Sequence, residues 1–192
     1  MYNGHMQNLK KKYNLRQMYR IVLIANRSFS TLLSNRIHKT VDSKFIERLM
    51  LATTEVNGCD VCSYAHTKMA LTEGFSQEEI NAFLSGNPSY INENEAKAIL
   101  YAQHVADTMG NPDEQATRAL IQAYGEPTSK IIQSAINVMM MGNVSGIPLS
   151  AFLRRLKGKP YQNSSLFYEM GMLLVQPFVF VIALFHALFF RQ

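Results

Sequence analysis

The sequence predicts an all-α protein. Residues that favour helices, namely Ala, Leu, Met, Gln and Glu, are abundant, whereas Trp is absent and Val-rich runs are short. With 192 residues, 47% of them apolar, the chain is long enough for one compact domain with a hydrophobic core. We therefore expect a single helical domain, in which a central segment, residues 41–150, lies between a basic N-terminal helical arm, residues 1–40, and a C-terminal segment, residues 151–192.

The positive charge of the chain is concentrated in the N-terminal arm. Residues 1–41 contain eight Lys and Arg and no Asp or Glu, whereas residues 42–192 contain eleven Lys and Arg against fourteen Asp and Glu. A second basic cluster spans residues 154–159. Both patches could meet a membrane surface, an acidic partner or a neighbouring subunit, and a solvated face is the simplest interpretation. No nucleic-acid-binding motif is present, so we expect no nucleic-acid partner.

The first part of the chain predicts three helices. Residues 9–26 form a basic amphipathic pattern, residues 29–37 a second short helical stretch, and Asp42 an N-cap for a helix from Lys44 to about Val56. The apolar run at residues 21–25 is too short for a secretory signal. The arm is therefore expected to belong to the fold.

The next helices are separated by turn-forming residues. Asn57-Gly58 ends one helix, and a new helix starts at the cysteines and stops near Gly74. Ser76 and Glu79 form an S-x-x-E capping box for a short helix that ends at residues 86–88. Further helices are expected from Asn92 to Met109, from Glu114 to Tyr124 and from Ser129 to Met141, the last ending in a loop at Gly142, Gly146 and Pro148. The Met139–Met141 run is expected to pack in the core.

The C-terminal segment contains 21 residues without formal charge, from Met170 to Phe190, which is long enough to span a bilayer. Gln176-Pro177 and His186 weaken a transmembrane interpretation. A buried helix or an oligomer interface requires the same composition. We expect a packed helix and a cytoplasmic protein, with membrane association through residues 170–190 as the alternative.

Chemistry is expected at the two cysteines of the chain. On a helix, Cys59, Cys62 and His66 lie at i, i+3 and i+7, so that all three project from one face. A zinc site needs four ligands, and without a second cysteine pair His104 or His38 could complete it only through a fold contact, so we expect no metal. A structural disulfide over three residues would constrain the unfolded chain little. A redox-active dithiol is the best interpretation of the pair.

A base lies close to these cysteines. His66 is four residues after Cys62, and an imidazole there can take the thiol proton and produce the reactive thiolate. A helix N-terminus favours Cys59 as the thiolate, the histidine favours Cys62, and we favour Cys62 as the attacking residue. Glu47 lies on the preceding predicted helix, and packing of the two helices could bring it onto His66. Taken alone, Glu47 would be read as a solvated or salt-bridged helix residue.

These residues resemble a known family. Glu47, Cys59, Cys62 and His66 match the E-x₁₁-C-x-x-C-x₃-H signature of the alkylhydroperoxidase D-like branch of the carboxymuconolactone decarboxylase family. The resemblance extends over roughly residues 40–145 and includes Asn57-Gly58 before the first cysteine. It implies an all-helical bundle that assembles into homo-oligomers, in which the cysteines are the redox pair, His66 transfers protons and Glu47 is its relay partner.

One position departs from that pattern. Well-characterised members of the branch carry a second relay histidine just before the second cysteine, where this chain has Val61. The relay is therefore expected to be shorter or the activity weaker. Decarboxylases of the family lack the cysteine pair, which argues against lactone decarboxylation.

The resemblance implies a thiol-dependent peroxidase with a hydroperoxide substrate. It uses no cofactor beyond the cysteine pair and an external dithiol or protein reductant. The alternatives are a dithiol electron-relay or interaction protein without significant peroxidase activity, and a member in which the cysteines stay reduced and inert.

Overall fold

The computed structural model describes residues 7–84 and 92–190, without the side chains of residues 82–84. Within these ranges it contains helices and no strand, which confirms the predicted all-α fold class. Eight helices are described: α1 Leu15–His38, α2 Ser43–Asn57, α3 Asp60–Thr72, α4 Gln77–Leu84, α5 Glu93–Asp107, α6 Glu114–Tyr124, α7 Glu126–Leu156 and α8 Leu166–Phe189.

The N-terminal region differs from the prediction. The helix does not begin at Leu9, because Asn14 caps α1 through a reciprocal capping box with Gln17. The two predicted helices are a single helix, since no Gly or Pro interrupts the chain between them. Helix α1 ends where Lys39 adopts the left-handed conformation, with φ 52°.

The predicted starts of α2, α4 and α6 are confirmed. Asp42 accepts hydrogen bonds from two backbone N–H groups of α2, and Asp113 caps α6. In the capping box of α4, the Ser76 N–H donates to Glu79 at 2.7 Å and the Glu79 N–H donates to Ser76 at 3.0 Å. The predicted end of α4 at residues 86–88 lies outside the described residues.

Helix α7 corrects a second prediction. It begins at Glu126, three residues earlier than expected, with Pro127 in its first turn, where a missing N–H costs nothing. The expected loop at Gly142, Gly146 and Pro148 is wrong, because α7 continues through all three residues to Leu156. Much of this helix is buried, so tertiary packing overrides the weak local preference to stop.

Helix α7 lies at the centre of the fold. It packs against α1, α2, α3 and α8, while α2 also packs against α5. One hydrophobic core extends from Leu9, before α1, to Ala183 in α8. Met139 and Met140 are 3% and 1% exposed, which confirms their expected place in the core.

Two of the described helices, α7 and α8, are long and apolar enough to cross a membrane by length and composition. The most apolar window of α7 is 56% buried, as in the core helix of a globular protein, whereas that of α8 is 17% buried. The rest of the protein therefore covers much of α7 but leaves most of α8 exposed. The compartment of the protein stays a prediction.

Candidate functional site

The two cysteines lie at the N-terminus of α3 and form a disulfide, with 5.3 Å between their Cα atoms. Gly58 adopts a φ of 68°, which ends α2 and turns the chain into α3. Cys59 is the N-cap of α3, and its Sγ accepts the N–H of Cys62 at 3.3 Å. Cys59 is fully buried and Cys62 is 8% exposed, so Cys62 is the more accessible of the two residues.

Glu47 and His66 are in direct contact beside this turn. The Nδ1 atom of His66 lies 2.6 Å from Oε1 of Glu47, and the two side chains are 16% and 6% exposed. The connection at Gly58 folds α3 back along α2, which is the packing that the sequence suggested. A carboxylate on Nδ1 keeps the proton on that nitrogen and leaves Nε2 to exchange a proton with a reacting group. The catalytic roles of these residues stay predictions.

Helix α7 covers the disulfide at Gly146. A Cβ atom at this position would lie 2.6 Å from both Cys59 Sγ and Cys62 Sγ, so only glycine allows so close an approach. One turn earlier, the carbonyl oxygen of Gly142 lies 3.5 Å from Cys62 Sγ. A disulfide sulfur carries no hydrogen, so this contact becomes a hydrogen bond only when the Cys62 thiol is reduced.

A buried polar network lies beneath the turn that carries the cysteines. The Tyr13 hydroxyl donates to Asn57 Oδ1 at 2.6 Å, and the Asn57 amide donates to Asn143 Oδ1 at 2.8 Å. The Asn143 amide in turn donates to Thr54 Oγ1 at 3.0 Å. Burial raises the pKa of Tyr13, which keeps it a donor. The network ties α2 to α7 at the residue that precedes Gly58, and thereby fixes the direction in which the chain enters α3.

Two further contacts fix the first turn of α3. The Tyr161 hydroxyl donates to Asp60 Oδ2 at 2.8 Å, and burial together with this carboxylate raises the pKa of Tyr161 to about 12. The N–H of Val61 donates to Ser150 Oγ at 3.2 Å. Residues of α7 and of the segment that follows it therefore hold the first turn of α3 in place.

Sequence patterns did not connect Tyr13, Asn143, Gly146 or Tyr161 with the site. The sequence predicts a loop at Gly146 because glycine disfavours helices. In the structure this glycine lies inside α7 and allows the helix to pack closely on the two cysteine sulfurs. The clearest available signal was the pair of glycines four residues apart, Gly142 and Gly146, inside a strongly apolar stretch.

Metal ligands do not cluster in the part of the chain that the structure describes: no group of three His, Cys, Asp or Glu side chains is arranged to hold an ion. His104, considered above as a zinc ligand, instead has its Nε2 atom 3.0 Å from Asp113 Oδ2.

Comparison with known proteins identifies one family. The model of the carboxymuconolactone decarboxylase family matches residues 25–104, which include α2, α3 and all four residues of the signature. No curated protein and no solved structure gives a match to the chain. Residues 25–104 of the chain are therefore similar to the carboxymuconolactone decarboxylase family.

Proposed function

We propose that this protein is a thiol-dependent peroxidase that reduces small hydroperoxides through a dithiol–disulfide cycle of Cys59 and Cys62. The observation that carries the proposal is the disulfide at the N-terminus of α3 beside a buried Glu47–His66 pair. The match of residues 25–104 to the family model is compatible with this activity, because the family includes both decarboxylases and peroxidases.

The proposed cycle has three steps. A thiolate attacks the terminal peroxide oxygen, the O–O bond breaks, and the products are a cysteine sulfenic acid and an alcohol. The second cysteine attacks the sulfenic sulfur, which forms the disulfide and releases water. An external dithiol then reduces the disulfide and is itself oxidised to a disulfide. Overall, one hydroperoxide and one dithiol give an alcohol, water and an oxidised dithiol.

Cys62 is the attacking residue in this proposal. It is the more exposed cysteine and lies one helical turn before His66, whose Nε2 can accept the thiol proton. Cys59 suits the leaving group during reduction, because its Sγ accepts the Cys62 N–H at the positive end of α3. An external thiolate would therefore attack Cys62 and expel Cys59 as a stabilised thiolate.

Burial of the sulfurs favours a small substrate. Thiol–disulfide exchange with another protein requires a third sulfur to approach in line with the bond, yet Cys59 is fully buried and Cys62 almost so. An alkyl hydroperoxide presents only a terminal O–H. The electron-relay function is for this reason the second candidate, because its partner is a protein, whereas a small external dithiol can complete the peroxidase cycle.

Single cysteine variants test the assignment of roles. With one equivalent of tert-butyl hydroperoxide, Cys59→Ser should consume the peroxide once and form a Cys62 sulfenic acid that dimedone traps. Cys62→Ser should consume none, and neither variant should turn over with dithiothreitol. Peroxide consumption by Cys62→Ser but not by Cys59→Ser would reverse the roles, and turnover in either variant would refute the cycle.

The histidine has a matched control. His66→Asn should lower peroxide turnover near neutral pH by about 10²–10⁴-fold, the usual contribution of a general base. His104→Asn removes a second histidine with a carboxylate partner, Asp113, and should leave turnover unchanged. Equal activity of the two variants would exclude His66 from proton transfer.

A further inference from the structure

Helix α8 has two different faces. Its inner face packs against α1 and α7 through Met172, Val179, Ala183 and Ala187, all of which are buried. Its outer face is exposed and apolar, with Phe178 69% and Phe185 60% exposed. The only formal charge in α8 is Glu169, which is fully buried and paired with Arg155. The outer face therefore carries no charge.

Seven of the exposed residues of α8 follow a coiled-coil period. Steps of four and three residues alternate along the outer face, and every position in the series is exposed: Phe167, Gly171, Leu174, Phe178, Val181, Phe185 and Leu188. We call these seven residues the α8 seam. A period of 3.5 residues keeps a stripe facing one partner helix over three heptads, whereas the inner face packs within the domain. The spacing therefore indicates another helix as the partner.

The exposed area has the size of a stable interface. Phe167, Leu174, Phe178, Phe185 and Leu188 are between 60% and 93% exposed. Large apolar side chains exposed to this extent each contribute on the order of 100 Å². With Val181 and the neighbouring Ile182 and Phe189, the face approaches the roughly 800 Å² that each partner buries in a standard interface. It also exceeds the largest apolar patch of a typical monomer, about 300–600 Å².

A bilayer fits this face less well than a helix does. A helix that spans a bilayer alone meets lipid on every side, but α8 packs on α1, and insertion of the two helices together would carry Arg16, Arg20 and Arg27 of α1 into hydrocarbon. Helices that lie in the plane of a membrane carry Lys and Arg beside their apolar face, and α8 has neither.

We propose that the α8 seam is covered by the α8 seam of a second copy of this chain. A two-fold interface requires a surface that complements itself, and an uncharged stripe with a regular apolar repeat does so without placing like charges together. Helix α8 lies outside residues 25–104, so the dimer is built by a segment outside the match to the family.

Sedimentation velocity of the full-length protein tests this interface. At about 20 µM, the wild type should sediment with twice the chain mass of 21.8 kDa. Leu174→Glu should weaken the dimer by at least about 100-fold, because it places two carboxylates in an apolar interface. Leu100→Glu is the control, since Leu100 on α5 is 63% exposed and Leu174 is 64% exposed, and this variant should remain a dimer.

Other results would overturn the proposal. A monomeric wild type would do so, as would a Leu174→Glu dimer as tight as the wild type. Binding of the wild type to phosphatidylserine vesicles, lost in Leu174→Glu but kept in Leu100→Glu, would assign the face to a membrane. Unchanged helicity by circular dichroism shows that each variant is folded, and Phe185→Glu supplies a second seam variant.

Discussion

Gly146 provides the sharpest test of how α7 packs on the disulfide. In Gly146→Ala, the new methyl group would lie 2.6 Å from both sulfurs, about 0.8 Å closer than the 3.4 Å at which ordinary contact begins. The two sulfurs are bonded to each other and held in the turn before α3, so neither moves independently. Either α7 or the cysteine turn must therefore shift.

Two effects of opposite sign determine how much Gly146→Ala changes the free energy of unfolding. Overpacking a well-packed core costs about 1–3 kcal/mol, and the rigid pair of sulfurs places this site at the upper end. Replacing a glycine inside a helix by alanine stabilises the folded state by about 1 kcal/mol. We expect a net loss of about 2 kcal/mol in the free energy of unfolding of the oxidised protein.

Gly142→Ala is the matched control on the same helix. A Cβ atom at Gly142 meets nothing within 4 Å, so only the gain in helix propensity applies and stability should rise by about 1 kcal/mol. Chemical denaturation followed by circular dichroism measures both variants. In a background with both cysteines replaced by alanine, Gly146→Ala should destabilise the protein much less, because the sulfurs are absent. The difference is a coupling energy between Gly146 and the cysteine pair of at least about 1 kcal/mol. If Gly146→Ala is as stable as Gly142→Ala, the described packing of α7 on the disulfide is wrong.

Three further predictions concern the surroundings of the cysteine turn. Because the pKa of Tyr161 is raised to about 12, its contribution to stability is complete below the unfolded pKa of about 10 and is lost as the pH rises from there towards 12. The free energy of unfolding of the wild type should therefore fall more steeply than that of Tyr161→Phe over this range, and parallel curves would contradict the assignment. Asn143→Ala leaves the Asn57 amide and Thr54 hydroxyl without their buried partner and should cost about 2–4 kcal/mol in denaturation, whereas the exposed Asn81→Ala should stay within about 0.5 kcal/mol. Val61→His restores the histidine of the related branch and should raise peroxide turnover if the shortened relay limits the rate; a folded variant without any gain would show that it does not.

Local signals in the sequence were sufficient for much of the fold. Asp42, Ser76 and Asp113 accept hydrogen bonds from N–H groups only two or three residues away, so their helix starts can be read without tertiary information. The break at Gly58 made a contact between Glu47 and His66 possible, and the resemblance of the signature to a known family singled out Glu47 as the partner.

The remaining features depend on distant contacts. Gly146 has the local signature of a helix breaker, but 87 residues separate it from Cys59, whose sulfur requires the absence of a side chain there. Tyr13 reaches Asn57 across 44 residues. For α8, composition identified an apolar helix, but only the packing of Val179 and Ala183 shows which side stays exposed.

Thiol counting after a single exposure to peroxide tests the proposed peroxidase activity most directly. The protein is reduced with dithiothreitol, desalted and treated with one equivalent of tert-butyl hydroperoxide, and free thiols are then alkylated with iodoacetamide and counted by mass spectrometry. Both thiols should be labelled before peroxide and neither afterwards, with one equivalent of tert-butanol formed and recovery of both thiols after dithiothreitol is added. Labelling of both Cys59 and Cys62 after peroxide, with the hydroperoxide unconsumed, would contradict a redox role for the pair.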